Sequence, residues 1–327
     1  MKKLLVKLFL SLTIIQSQAQ QPVNFKGQIK NTKADEVIYL VLDGVLIRLQ
    51  VLEDGTFSTN TSIQELPSFY SLANIAKNGK IEQQTPRIWF NKDSIDISIN
   101  WADKTFQPQE KMPYQSLSEK IESLKTDAQN EFILNHTVNI PILYFVNKNK
   151  KSISIADLDL FTQKVDDTYK SSFYFKRLEN YLWAKKRKLL KVGEKVEDFS
   201  LPDKDGNQVS VINSNNKTKL ITIFSSGCSY SIASISMLEK ISKMNTGKIE
   251  IITIWADDIR DTWLTEHADK KSNMSWTNLW DEHKFASTYF NNTSWPTFYV
   301  VDAQGKLVDQ FKSYNQKTAN KLKALVE

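Results

Sequence analysis

Between residues 24 and 101, apolar and polar positions alternate in short runs: FKGQI, EVIYLVL, GVLIRLQV, TFSTN, SFYSLANI, RIWF and DSIDISI. The turn Glu53-Asp54-Gly55 stands just ahead of TFSTN. A period of two puts alternate side chains on opposite faces of a strand, and turn formers at this spacing predict a small antiparallel β domain. Beyond Pro108 the period lengthens to helical spacing over residues 114–132, 155–169 and 172–190, which predicts a helical connector. A third style begins at Val192. VGEKVEDFSLPDKDGNQVSV leads into the continuous apolar run LITIF (residues 220–224), a helical stretch over 229–244, the run IEIITIW and further helix. FYVVDAQGKLV (298–308) then reads as two strands around the turn Ala303-Gln304-Gly305. Strand, helix, strand, helix and a closing strand pair is the order of an α/β sandwich. The predicted organisation is multi-domain: a β-rich N-terminal domain at 20–108, a helical connector at 109–190 and an α/β domain at 191–327.

The first residues fit none of these styles. MKKLLVKLFLSLTIIQSQAQQ carries Lys2, Lys3 and Lys7, an apolar run over residues 8–15, and small residues Ser17 and Ala19. That is the pattern of an export signal over residues 1–19, cleaved after Ala19. The apolar run falls short of the roughly 20 residues that a membrane span requires, and no later stretch comes closer. No cysteine follows the cut to carry a lipid. The expected mature protein is therefore exported, periplasmic and soluble. The leader removes three of the 43 basic residues and none of the 37 acidic ones, which leaves a net charge of +3. So modest a charge argues against nucleic acid as a partner. The densest basic run, KKRK at 185–188 with Lys191 beyond, lies on a predicted helix and reads as a solvated face.

Chemistry narrows to one thiol. The chain has a single cysteine, Cys228, inside FSSGCSYS, so it cannot close an internal disulfide. Cys228 follows a buried strand and opens a helix, where unpaired backbone N–H groups and the helix dipole favour a thiolate. Ser231, one helical turn on, can donate a hydrogen bond to a thiolate but cannot attack a disulfide. His136, His267 and His283 are far apart in sequence and lack ligand partners at metal spacing, so no metal is expected. Asp257, Asp258 and Asp261 follow a strand and read as helix caps and dipole partners. No glycine-rich phosphate loop or serine–histidine–acid arrangement is present, and no cofactor is expected.

Five stretches together resemble the exported thioredoxin-like thiol–disulfide oxidoreductases, the thiol reductases of the bacterial cell envelope: VGEKVEDFSL; DGNQVSV; ITIFSSGC before the helix; IEIITIWADD after it; and ASTYFNNTSWPTFYVVDAQGKLV. The likeness covers residues 192–327 and implies a thioredoxin-like fold there. It also implies that Pro296, followed by Thr297, is the cis-proline that faces the cysteine. The β-rich region is similar to a small domain of unknown function that often precedes this module. The family motif is Trp-Cys-x-x-Cys with a glutamate shortly after it. Here Gly227, Cys228 and Ser231 occupy the motif, and Ser234 stands at the glutamate. The resemblance then implies monothiol chemistry, with Cys228 as nucleophile and mixed disulfides as its products. Its partners would be envelope proteins bearing thiols or disulfides, and an external thiol reductant. Trp295, just before the proline, narrows the approach to the thiol and is expected to fill the space left by Gly227. The alternative reading is a redox-inactive thioredoxin-fold binding or scaffold module. A peroxiredoxin reading, suggested by Ser225 three positions before Cys228, is weakened by Ile221 at that pattern's proline.

Overall fold

The computed structural model describes residues 21–32, 36–42, 45–76, 80–103, 105–106, 114–213 and 216–326. The expected leader at 1–19 lies outside them. The N-terminal strands are β1 (Gln21–Lys30), β2 (Ile38–Leu42), β3 (Val45–Arg48), β4 (Thr56–Ile63), β5 (Ser68–Ile75), β6 (Ile81–Gln84), β7 (Ile88–Phe90), β8 (Ser94–Asn100) and β9 (Thr105–Phe106). One sheet runs β4-β1-β8-β9; the other runs β3-β2-β5-β6, with β7 also on β5. Alternation turns Val23, Phe25 and Ile29 inward against Leu40, Tyr70, Leu72 and Phe90 of the facing sheet. Phe25 meets the edges of Tyr70 and Phe90 at 5.4 Å each. One pairing departs from the antiparallel expectation: β1 lies parallel to β8. A parallel neighbour needs a crossover, and the second sheet supplies it between the two strands. Alternation alone carries no information about strand direction. Gly27, at φ +150°, makes the pairing close, because a Cβ there would fall 1.9 Å from the carbonyl oxygen of Ile97.

The connector consists of α1 (Gln115–Ser123), α2 (Thr126–Asn135), α3 (Ile140–Asn149), α4 (Ile155–Gln163) and α5 (Phe173–Lys185). The single helix predicted over 114–132 is broken, since Leu124 and Lys125 are extended. Helix α3 has no counterpart in the sequence prediction. Its residues Ile140–Val146 are buried on every side, and a stretch that is apolar all round shows no period. Asn139, Ser154 and Ser172 start α3, α4 and α5 by accepting N–H bonds from Ile142, Asp157 and Phe175. These helices form a layer rather than a tether: Phe69 and Trp89 leave the sheet on its outer face and join Phe145, Phe161 and Leu178. The KKRK run is likewise no bare helical face. Lys185 ends α5, and the residues after it bind back: Lys186 to Asp159, Arg187 to Glu197 at 3.6 Å, and Lys188 to Glu194 at 2.7 Å. The Arg187 guanidinium also sits 3.7 Å over the Trp183 ring.

The last third holds β10 (Ser200–Pro202), β11 (Gln208–Ser210), β12 (Thr218–Phe224), α6 (Ser229–Met244), β13 (Ile249–Trp255), α7 (Arg260–Thr265), α8 (Ala268–Lys271), β14 (Thr277–Trp280), α9 (Phe285–Tyr289), β15 (Thr297–Val301), β16 (Leu307–Lys312) and α10 (Gln316–Ala324). Its sheet runs β14-β13-β12-β15-β16, with β12, β13 and β14 parallel and the other two antiparallel. LITIF is continuous because β12 is central and covered twice. Leu220 and Phe224 face α6 and α10, while Ile221 and Ile223 face Ala286 and Phe290 on the other side. Each such side chain contributes about 1.5–3 kcal/mol of burial. Among the described residues no helix is long and apolar enough to cross a membrane.

Candidate functional site

Strand β12 ends at Phe224, and three short residues, Ser225, Ser226 and Gly227, turn the chain into α6 with Cys228 as its N-cap. The turn is closed by the Cys228 N–H donating to the Ser225 carbonyl at 3.1 Å. Opposite stands the Trp295–Pro296 peptide bond, which is cis. The Cys228 thiol donates to the Trp295 carbonyl at 3.3 Å. Cys228 is half-buried, Pro296 is buried, and Tyr230 on α6 and Trp295 before the cis-proline are exposed at 61% and 42%, so two aromatic side chains remain open to a partner. Thr297 opens β15 opposite Ile223 and is fully buried. Its hydroxyl donates to the Ser294 carbonyl at 2.7 Å, away from the thiol. The structure thus brings Cys228, Trp295 and Pro296 together and sets Thr297 behind them.

Two expectations fail here. Trp295 does not fill the space beside Gly227: a Cβ on Gly227 would meet only Ser225 Oγ, at 4.0 Å, and the indole stays exposed. Ser231 does not bond the sulfur. It is fully buried and accepts from the Ser225 N–H at 3.4 Å, because the first turn of α6 carries it under the loop. Ser234, buried below, donates to the Ser231 carbonyl at 2.7 Å. Both serines support the loop that presents the thiol.

The expectation that the aspartates act as caps also changes. Asp257 is buried and accepts from Ser226 N–H at 2.9 Å, Ser226 Oγ at 2.7 Å and Ser225 Oγ at 3.3 Å. Parallel register explains the meeting. Trp255 lies beside Phe224, and the Ala256 N–H donates to the Phe224 carbonyl, so the residues after IEIITIW arrive next to those after LITIF. That register was the signal available in the sequence for assigning Asp257 to the thiol loop. Lys271, from α8, donates to Ser226 Oγ at 2.8 Å, and burial brings its amine down to about 8 against the opposing pull of Asp257 and Glu266. Asp258 faces the other way and binds Lys284 at 2.9 Å and Arg177 at 3.1 Å, while its carbonyl accepts from the Gln64 side chain. Burial would raise its carboxyl, but the two cations outweigh this and hold it below the usual carboxylate range. Asp261 does sit in the first turn of α7, yet it accepts from Ser62 of the N-terminal domain at 2.9 Å. Two of the three aspartates therefore join domains, and the third braces the thiol loop.

Among the described residues no group of three histidine, cysteine or acidic side chains could hold a metal. Comparison with curated proteins returns no match. Among solved structures, the thioredoxin domain of a thiol-disulfide oxidoreductase from Bacteroides vulgatus is 21% identical, with a TM-score of 0.37 over 42% of this chain and 99% of that one. A thiol:disulfide interchange protein from Bacteroides sp. is 21% identical, with a TM-score of 0.37 over 42% and 91%. StoA from Bacillus subtilis is 13% identical, with a TM-score of 0.35 over 41% and 100%. The Redoxin family model matches residues 191–326. A central β12 covered on both faces, a cysteine at the helix that follows it and a cis-proline opposite all lie inside that match, and residues 191–326 have a thioredoxin-like fold similar to that of the Redoxin family.

Proposed function

We propose that the C-terminal domain carries out single-thiol thiol–disulfide exchange on proteins of the cell envelope. The carrying observation is the half-buried Cys228 sulfur 3.3 Å from the carbonyl that precedes the cis-proline, with the nearby residues Tyr230 and Trp295 exposed. After giving its proton to solvent, Cys228 attacks one sulfur of a partner disulfide. A Cys228–partner disulfide forms, and the other partner sulfur leaves as a thiolate that takes up a proton. No second protein thiol is present to break the adduct. An external thiol of low molecular weight attacks it instead, forms a new disulfide with the partner and returns Cys228 as a thiolate. Pro296 and the Trp295 backbone orient the incoming disulfide, as in the family the sequence resembles. Ser231 and Thr297 hold the loop and the strand behind them. The pattern of residues 1–19 supports an exported location.

Covalent capture tests the reading. Under oxidising conditions, acid-quenched non-reducing gels of the wild-type protein in its host should show adducts that collapse on reduction and are absent from Cys228→Ser. With no internal exit, their lifetime should be set by added thiol. Absence of adducts, with Cys228 labelled by a thiol reagent only after denaturation, would replace this reading with that of a redox-inactive binding module.

A further inference from the structure

Four of the eight tryptophans fall within WADDIRDTWLTEHADKKSNMSWTNLW: Trp255, Trp263, Trp276 and Trp280. Folding gathers them at the β14 edge of the C-terminal sheet. A cavity of about 560 Å³ opens there between the turn at 203–205, α7, α8 and β14, and Trp263, Leu264, Met274 and Trp276 line it. That volume lies within the range of small-molecule sites, about 300–1,000 Å³. Two of the three lining indole N–H groups are already used: Trp276 donates to Thr253 Oγ1 at 2.8 Å and Trp255 to Asn278 Oδ1 at 3.3 Å. What the rings offer a ligand is therefore flat apolar surface, which favours a planar guest.

Two lysines line the cavity, Lys204 and Lys271, and only the second lies against the tryptophans. Lys271 stands 4.3 Å over the buried Trp255 ring and donates only to neutral oxygens, Ser226 Oγ and the Trp263 carbonyl. Among the described residues no carboxylate lies within ion-pair distance of it. The acids at the mouth are engaged elsewhere. Asp203 accepts from the N–H groups of Asp205 and Asn207, and Asp205 pairs with Lys204. Arg260 donates to the Lys204 carbonyl. A half-buried ammonium that feels Asp257 and Glu266 only at a distance is incompletely compensated, and a guest carrying a negative charge in direct contact would relieve that cost. We propose that this cavity binds a small bicyclic aromatic carboxylic acid, with its rings against Trp263, Trp276 and Met274 and its carboxylate on Lys271.

Calorimetric titration of the full chain with indole-3-acetate and with its neutral amide, indole-3-acetamide, tests this. The acid should bind about tenfold or more tighter than the amide, the gain expected of one hydrogen bond between charged groups. Lys271→Met should bring the acid down to the affinity of the amide. Ala268→Trp, which adds bulk from the cavity wall without removing any charge, should abolish binding of both. Equal affinity of acid and amide for the wild type, absence of heat from either, or a preference for acid that survives Lys271→Met would overturn the proposal. Reactivity of Cys228 does not enter this readout, so its outcome is independent of the exchange reaction proposed above.

Discussion

Glu282 lies in the segment between β14 and α9, little exposed, with His283 Nε2 3.5 Å away and, among the described residues, no hydrogen bond to its carboxyl. Burial pushes that carboxyl from an ordinary 4.5 up to about 7, against a smaller downward pull from Arg260. A raised acid favours the folded state while it is protonated, so its contribution is full below the unfolded value and is lost as pH rises through the folded one. At about 1.4 kcal/mol per pH unit, an interval from 4.5 to about 7 corresponds to about 3 kcal/mol. Glu282→Gln keeps the shape and removes the ionisation. Measured by urea unfolding with tryptophan fluorescence, the variant should gain about 3 kcal/mol on the wild type between about pH 4.5 and about pH 8. His283 works in the opposite sense: burial, with Arg177 and Lys176, brings it down to about 4, so its contribution falls as pH drops below its unfolded value. The two oppose each other in the wild type over mildly acidic pH, and the variant exposes the histidine's slope. A variant-minus-wild-type difference that stays within about 0.5 kcal/mol across the range would refute the reasoning.

Asp257→Ala should lower the stability of the C-terminal domain by about 3 kcal/mol, because it strands the Ser226 N–H and two hydroxyls beside the half-buried Lys271 ammonium. A loss under about 1 kcal/mol in the same urea experiment would show that the carboxylate does not brace the loop. In an insulin-reduction assay with dithiothreitol, the wild-type protein should show little turnover and Ser231→Cys should gain some, since the second thiol arrives one turn along α6. Wild-type turnover equal to that of an ordinary dithiol thioredoxin would contradict the single-thiol reading.

What the sequence made legible were features that depend on near neighbours in the chain. LITIF announced a strand covered on both faces and FSSGC a turn into a helix, while the proline that stands against Cys228 came from the family resemblance that SWPT helps to carry. What escaped depends on residues distant in sequence. The parallel pairing of β1 and β8 follows from a crossover some sixty residues long, which alternation cannot encode. Helix α3 escaped because burial on all sides erased its period. Asp257 and Ser231 were read by local rules, as a cap and as a donor to the thiol. Register between β12 and β13, and the turn of α6, sent both beneath the loop instead.

Asp257 and Asp258 are consecutive, and they look in opposite directions. The first grips Ser225 and Ser226; the second is held by Arg177 and Lys284, and its carbonyl by Gln64. A single peptide unit is thus the fulcrum between the thiol's cradle and the N-terminal two-thirds of the chain. A bulky group joined to Cys228 that tilts the Ser225–Ser226 loop must either tear Asp257 free or lean on its neighbour. Leaning on Asp258 transfers the load to Arg177 on α5 and to Gln64 beyond β4, more than 150 residues upstream of the sulfur. The contacts run both ways, so the N-terminal sheets and the cysteine's loop are joined through one peptide unit.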